Sequence, residues 1–440
     1  MQPDNQDLNN IDLNIGETPE LSMEGNDKPQ KSIKKSKKSN KEKGKRKAPR
    51  QKWSTKKKVI VWTIVILLLA GAGVGGFFLY KHFNPDKQPE SSAQNTPAEK
   101  PKYYSTLSGE EIASADLNSS PTFCMQIPNG LDGARPQVGL SEAPVVFEAI
   151  AEAGITRFAA IFQNPTSSAI GPIRSLRQYY LEWDTPFDCT IVHAGGSDEA
   201  IDSLAAGNYR DLSEDYTYEW RDYSAYIAPN NLFTSASLLK KFNSDHNYTT
   251  SEVKSFTRLK PEEAEKSRTK ALEDSKEKTT TNAAGDEVTT PGIPLVTNIS
   301  VNFGYTASFN TRYVYDPDSN TYLRSYADGI PHETFTCPEG LEDPAPQNDC
   351  GKATQVAPKA IAVLEVNQHL DTDGYHLVTQ TTGSGTAYIF QNGTATEATW
   401  SRQSYSDPIK FTNKEDQEIA IVPGQLWVAA IPTSTGSVDY

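Results

Sequence analysis

The sequence predicts an α+β (or α/β) N-terminal ectodomain followed by a β-rich C-terminal domain, both placed behind one transmembrane helix. Three observations carry that prediction. Val59 to Tyr80 is a 22-residue run with no charged side chain. From residue 103 to 250, β-branched and aromatic strand candidates alternate with helix candidates, the pattern of a layered α/β or α+β unit. From 295 to 436 the apolar segments are short and separated by turn signals such as Asp373–Gly374, Asn392–Gly393 and Pro423–Gly424, the pattern of a sandwich or barrel.

Taken in order, residues 1–58 have too little apolar surface to fold and read as a disordered cytoplasmic tail. Their second half is a basic cluster: Lys31 to Lys58 holds 15 Lys/Arg against the single acid Glu42. An apolar helix of this length spans a hydrocarbon core of about 30 Å at about 1.5 Å per residue. The basic cluster before it predicts a single-pass topology, with the N-terminus cytoplasmic and everything beyond residue 80 extracellular, so helix 59–80 is the expected membrane contact. Residues 81–102 are polar and read as a stalk.

The first folded unit, 103–250, offers strands at Thr122–Ile127, Val145–Glu152, Ile155–Gln163 and Cys189–Ala194. Its helices are expected at Arg174–Trp183, Asp198–Ala206 and Ser235–Asn243. Residues 251–294 are hydrophilic, a linker or insertion with a helix expected over Pro261–Lys276. The second unit, 295–436, offers strands at Tyr313–Tyr315, Tyr322–Arg324, Ala360–Val366, Tyr375–Gln380, Ala387–Gln391, Ala395–Ser401 and Gln425–Ala430.

Composition narrows function by exclusion. Residues 59–440 carry 27 Lys/Arg against 48 Asp/Glu, which argues against a nucleic-acid partner held through its phosphates. The six histidines are scattered without metal-ligand spacing, and no dinucleotide or phosphate-loop fingerprint is present, so no metal and no cofactor is expected. Four cysteines in an oxidising compartment suit disulfides. Cys337 and Cys350 are the expected pair because they bracket a Pro/Asp/Glu/Gly-rich loop. Cys124 and Cys189 read either as a second bridge or as buried thiols.

The residues able to carry chemistry concentrate in the first unit. Arg135, Arg157, Arg174 and Arg177 are candidate anion ligands, since guanidinium groups grip carboxylate or phosphate bidentately. Glu148 and Arg157 interrupt neighbouring apolar strands and could form a cross-strand pair on one sheet face. Arg174 and Arg177 are expected one turn apart at a helix start, where an anion would offset the helix dipole. Gly195, Gly196 and Ser197 leave a strand and begin a helix, a turn whose amides can face an anion; the plain alternative is a connecting loop capped by Ser197. Glu142, Glu148 and His193 are the candidates for a general base.

Several ordered segments resemble the YerB-like bacterial lipoproteins. In the first unit they are Ala134-Arg135-Pro136-Gln137-Val138-Gly139-Leu140-Ser141-Glu142-Ala143, Glu152-Ala153-Gly154-Ile155-Thr156-Arg157-Phe158, Ile170-Gly171-Pro172-Ile173-Arg174-Ser175 and Val192-His193-Ala194-Gly195-Gly196-Ser197. In the second they are Gly383-Ser384-Gly385-Thr386-Ala387, Thr399-Trp400, Ser406-Asp407-Pro408-Ile409-Lys410-Phe411 and Pro423-Gly424-Gln425-Leu426-Trp427. The resemblance implies a two-domain extracytoplasmic envelope protein with no established activity. Two departures matter: the family's anchor is a lipidated cysteine where this chain has its apolar run, and the family's histidine before Asn-Leu-Tyr-Thr is replaced by Asn230.

Two function classes follow. The leading expectation is a membrane-anchored protein that binds an anionic cell-wall component or a protein partner through the arginine face. The alternative is an envelope hydrolase or phosphotransferase acting on a cell-wall precursor, with arginines stabilising negative charge and Glu142, Glu148 or His193 as base.

Overall fold

Strands from both halves of the chain join one sheet, and that sheet decides where every candidate site residue lies. The computed structural model describes residues 101–340 and 350–440. In chain order, the strands of its two principal sheets are β1 (Thr122–Pro128), β2 (Val145–Ile150), β3 (Thr156–Gln163), β4 (Cys189–His193), β5 (Arg210–Ser213), β6 (Asn298–Asn302) and β7 (Thr311–Asp316). They continue as β8 (Thr321–Tyr326), β9 (Ala360–Val366), β10 (Gly383–Gln391), β11 (Thr394–Arg402), β12 (Lys410–Thr412), β13 (Leu426–Pro432) and β14 (Ser437–Asp439). The large sheet has ten strands in the order β12-β11-β10-β9-β13-β2-β3-β1-β4-β5, and a four-stranded sheet has the order β8-β7-β6-β14.

The junction is β13, which pairs parallel with β9 on one side and parallel with β2 on the other. A parallel strand covered on both faces reads as a continuous apolar run, and Leu-Trp-Val-Ala-Ala-Ile-Pro is buried throughout. β2 is likewise buried from end to end. Its side chains alternate between two cores: Val145, Phe147 and Ala149 enter one, Val146 and Ile150 the other. The first core is closed by Tyr179, Tyr180 and Trp183 of helix α1 (Gln178–Asp184), with Trp183 stacked on Phe147 at 5.4 Å. The second is closed by the four-stranded sheet, through Ile299, Val301, Tyr313 and Tyr322, and by helix α3 (Ala236–Asp245), through Leu239 and Phe242. Burying one such side chain is worth about 1.5–3 kcal/mol, so these two faces supply much of the stability.

The expectation of an α+β or α/β first domain beside a separate β domain is corrected. The described residues are predominantly β in both halves, and the α-helices among them are short: α1 has 7 residues, α2 (Asp198–Ala206) 9, α3 10 and α4 (Pro261–Asp274) 14. Short-range pattern identified many strands but carried no trace of their long-range pairing, which joins the two halves edge to edge. Among the described residues no helix is long and apolar enough to cross a membrane. The expected span 59–80, with the tail before it and most of the stalk after it, lies outside the described residues.

The expected helix start at Arg174 is also corrected. Residues 174–177 are extended, and α1 begins after Arg177, which is its N-cap residue with φ −126° and ψ 153°. The cause is pairing: Arg174 N–H donates to the Gln126 carbonyl, Ala194 N–H donates to the Arg174 carbonyl, and Leu176 N–H donates to the Gly195 carbonyl. Those bonds tie the segment to the ends of β1 and β4 and leave no room for a helical turn.

Candidate functional site

β1, β4 and β5 are mutually parallel, so their carboxyl ends fall on one side of the sheet. The loops leaving them begin at Asn129, Ala194 and Glu214, and the extended segment carrying Arg174 crosses between the first two. In open sheets with parallel strands this is where ligands meet the protein. The Asn230 side chain donates to the Asp132 carbonyl at 3.1 Å, which brings the 229–231 loop over the same end. Asn230, standing where the family motif has histidine, therefore acts here as a loop tie.

The four candidate arginines meet different fates. Arg157 and Arg177 share the carboxylate of Glu152: Arg157 Nη2 donates at 3.0 Å, and Arg177 Nε donates to the other oxygen. Burial alone would raise the Glu152 carboxyl, but the hydrogen bond from Arg177 and the charges of both arginines hold it below the usual range. Arg157 is pulled down by its own burial and by the Arg177 charge. Arg135 places its guanidinium carbon 3.6 Å over the centre of the Tyr326 ring and donates from Nε to the Asn129 side chain at 2.9 Å. Arg174 is half-buried and has no ion pair or side-chain hydrogen bond among the described residues. Burial lowers it, Asp132 attracts it, and Arg177 and Arg221 repel it.

Glu148 and Arg157 do not share a face. The register sets Glu148 opposite Phe158 and Ala149 opposite Arg157, so the two side chains project to opposite sides of the sheet. Glu148 instead faces the four-stranded sheet and pairs with Arg324 of β8 through two 2.9 Å bonds. Trp427 Nε1 and Thr156 Oγ1 also donate to it, at 2.8 and 2.9 Å. His332 completes the cluster, with one ring nitrogen against Arg324 and the other 2.9 Å from the Gln137 side-chain oxygen. Burial and the Arg324 charge push His332 well below its ordinary value, which keeps it neutral.

The remaining candidates for acid–base work are also engaged. Glu142 accepts from the amides of Thr166 at 2.8 Å and Ser167 at 3.3 Å. His193 has its ring nitrogens 2.7 Å from the Gly195 carbonyl and 2.9 Å from the Asp211 carboxylate. In the glycine turn, Gly195 takes φ +64° with open space where a Cβ would stand, while the Ser197 amide donates to the Leu176 carbonyl. Ser197 is the N-cap residue of α2. Among the described residues no cluster of His, Cys, Asp and Glu could hold a metal ion.

Sequence reasoning missed Arg324, His332, Asp132 and Arg221. Arg221 donates to Glu214 at 2.6 Å and to Asn231 at 2.9 Å beside the Arg174 loops. None of these four stands in a motif. Only Arg324, a charge within the apolar strand segment Tyr322–Arg324, carried a signal, the same one that singled out Glu148. Two disulfides are present, Cys337–Cys350 and Cys124–Cys189, the latter joining β1 to its parallel neighbour β4.

Fold and site define a disulfide-linked, β-sheet protein of two interlocked halves, with a polar seam between them and a loop cluster at the carboxyl ends of three parallel strands. The chain belongs to the DUF3048 family. Residues 107–249 match the family model described as "Protein of unknown function (DUF3048) N-terminal domain", and residues 299–428 match its "C-terminal domain". A relative described as "Putative lipoprotein YerB", from Bacillus subtilis (strain 168), is 29% identical over 312 residues, covering 70% of this chain and 80% of its own length. A crystal structure of the YerB protein from Bacillus subtilis superposes with a TM-score of 0.56 at 25% identity, covering 77% of this chain and all of that one.

Proposed function

We propose that this chain is an extracytoplasmic protein of the cell envelope that binds an anionic envelope component, or a partner protein presenting one, at the loops around Arg174. The observation that carries this reading is the contrast among the arginines. Arg157 and Arg177 are both paired with Glu152, whereas Arg174, a few residues away and half-buried, has neither a counter-ion in contact nor a side-chain hydrogen bond among the described residues. A guanidinium withdrawn from water without a partner is costly, and an anion docking against it recovers that cost. Two disulfides suit an oxidising compartment, and the relative described as a lipoprotein supports an envelope location.

The test is calorimetric titration of the full chain with inorganic pyrophosphate and with muropeptide fragments, in parent, Arg174→Ala and Arg177→Ala forms. The expected result is saturable binding by the parent, weakened about tenfold or more in Arg174→Ala at unchanged thermal stability. Arg177→Ala instead loses about 1–3 kcal/mol of stability, because Glu152 keeps its bond to Arg157 but loses the second guanidinium donor in a buried place. Absence of saturable binding to both probes refutes the proposal.

A further inference from the structure

A second concave site lies at the opposite end of β1. A cavity of about 300 Å³ is lined by Pro121, Phe123, Pro165, Lys240, Asn243 and Tyr248, among others. Phe123, 2% exposed, and the two prolines give it an apolar floor. Tyr248 is held in place by Arg210, whose guanidinium lies 5.3 Å over its ring, and by His246, stacked at 5.7 Å. An aromatic ring braced in this way presents a fixed flat face to whatever enters.

The polar groups of the cavity converge from one helix. Lys240 and Asn243 are three residues apart on α3 and therefore share a face. Asn243 is 3% exposed and accepts from Thr190 Oγ1 at 2.8 Å through its side-chain oxygen. Its Nδ2 is buried and has no hydrogen-bond partner among the described residues. A buried amide donor left unmade costs free energy that native structures seldom tolerate, and this one belongs to a residue of the cavity wall. Lys240 is exposed at the rim and has no ion pair among the described residues.

We infer that this cavity is a binding site for a small carboxylate with a flat or branched apolar body. The carboxylate faces the Lys240 ammonium at the rim, with the Asn243 side chain in the wall beside it, while the apolar body rests on Phe123, Pro121, Pro165 and the Tyr248 ring. A phosphate or a highly charged anion would bury charge against the apolar floor, which a monocarboxylate with an apolar body avoids. The site is separate from the Arg174 loops, so the two readings stand or fall independently.

The test uses the full chain and two matched pairs of probes, benzoate against benzamide and N-acetyl-alanyl-alanine against its C-terminal amide, by calorimetry. Each pair isolates the carboxylate, and comparing the two acids tells a free acid from a chain terminus. The expected result is saturable binding of at least one acid, about tenfold or more tighter than its amide, reduced to the amide level in Lys240→Gln and unchanged in Arg174→Ala. Lys240→Gln alters only an exposed side chain and leaves the fold intact, so its result is readable even where Asn243→Leu fails to fold. Equal affinity for acid and amide, no effect of Lys240→Gln, or no saturable binding of either acid overturns the inference.

Discussion

Replacing Glu148 with Gln, Arg324 with Met, and both together isolates the polar seam between the two sheets. Both side chains are fully buried, and two 2.9 Å bonds join them. Glu148→Gln leaves the Arg324 cation facing a neutral His332 and the nearby charge of Arg135, with no carboxylate in reach. Arg324→Met leaves the Glu148 carboxylate with only the Trp427 and Thr156 donors. Removing one member of a buried ion pair costs about 3–5 kcal/mol, so each single variant should fall by that amount. The double variant buries no charge, and it should be more stable than the sum of the singles predicts by about 2 kcal/mol. Urea unfolding followed by far-ultraviolet circular dichroism and by tryptophan fluorescence supplies the free energies through linear extrapolation. Two single variants each within about 1 kcal/mol of the parent, or strict additivity in the double, would refute the view that this pair joins the halves.

Two further outcomes follow from buried groups and crosslinks. Burial pushes the Glu219 carboxyl up to about 8, against the Asp215 amide that favours its charge. The folded chain therefore keeps a proton that the unfolded chain has released, so this contribution is fully present below the unfolded value and is lost as pH rises through the folded one. Glu219→Gln should flatten that loss, by up to about 1.4 kcal/mol per pH unit, in urea midpoints compared at pH 6.5 and 8.5. His332 has the opposite sign and acts only below its ordinary value of 6.5, outside that window. Cys124–Cys189 closes a separation of 65 residues and Cys337–Cys350 one of 13. Loop-closure entropy assigns them about 4 and 3 kcal/mol, so paired Ser replacements should lower stability in that order, measured by the same urea titration.

Local chemistry was legible in the sequence where it acts locally. Asn392–Gly393 was readable as a turn, and it joins β10 to β11 as a two-residue loop with both residues at positive φ, 55° and 70°. The strand runs at Thr122, Val145 and Ala360 were readable because their β-branched residues serve the pleat directly. The partner of Glu148 was not, because Arg324 lies 176 residues away and nothing in either neighbourhood encodes the other. Arg174 was read as helical because its own residues permit a helix, and the bonds that hold it extended come from Gln126 and Ala194. Arg174 stands apart because Glu152 reaches Arg157 and Arg177 and Asn129 reaches Arg135, and the Glu152–Phe158 segment, though legible as a motif, does not reveal which arginines its carboxylate meets.

The position of β13 also dictates an order of assembly. Its Trp427 reaches Glu148 across 279 residues, and it fills the gap between β9 and β2. Until residues 426–432 emerge during synthesis, β2 and β9 each present a bare strand edge rich in apolar side chains. Such edges recruit other chains readily, and contacts this distant in sequence close slowly. A chain stopped short of β13 would lose more than one strand, since its two sheet fragments would have nothing to join them, and self-association should outrun refolding. Any cellular device that handles this chain before it folds must therefore hold it unfolded or shielded until residues 426–432 have arrived.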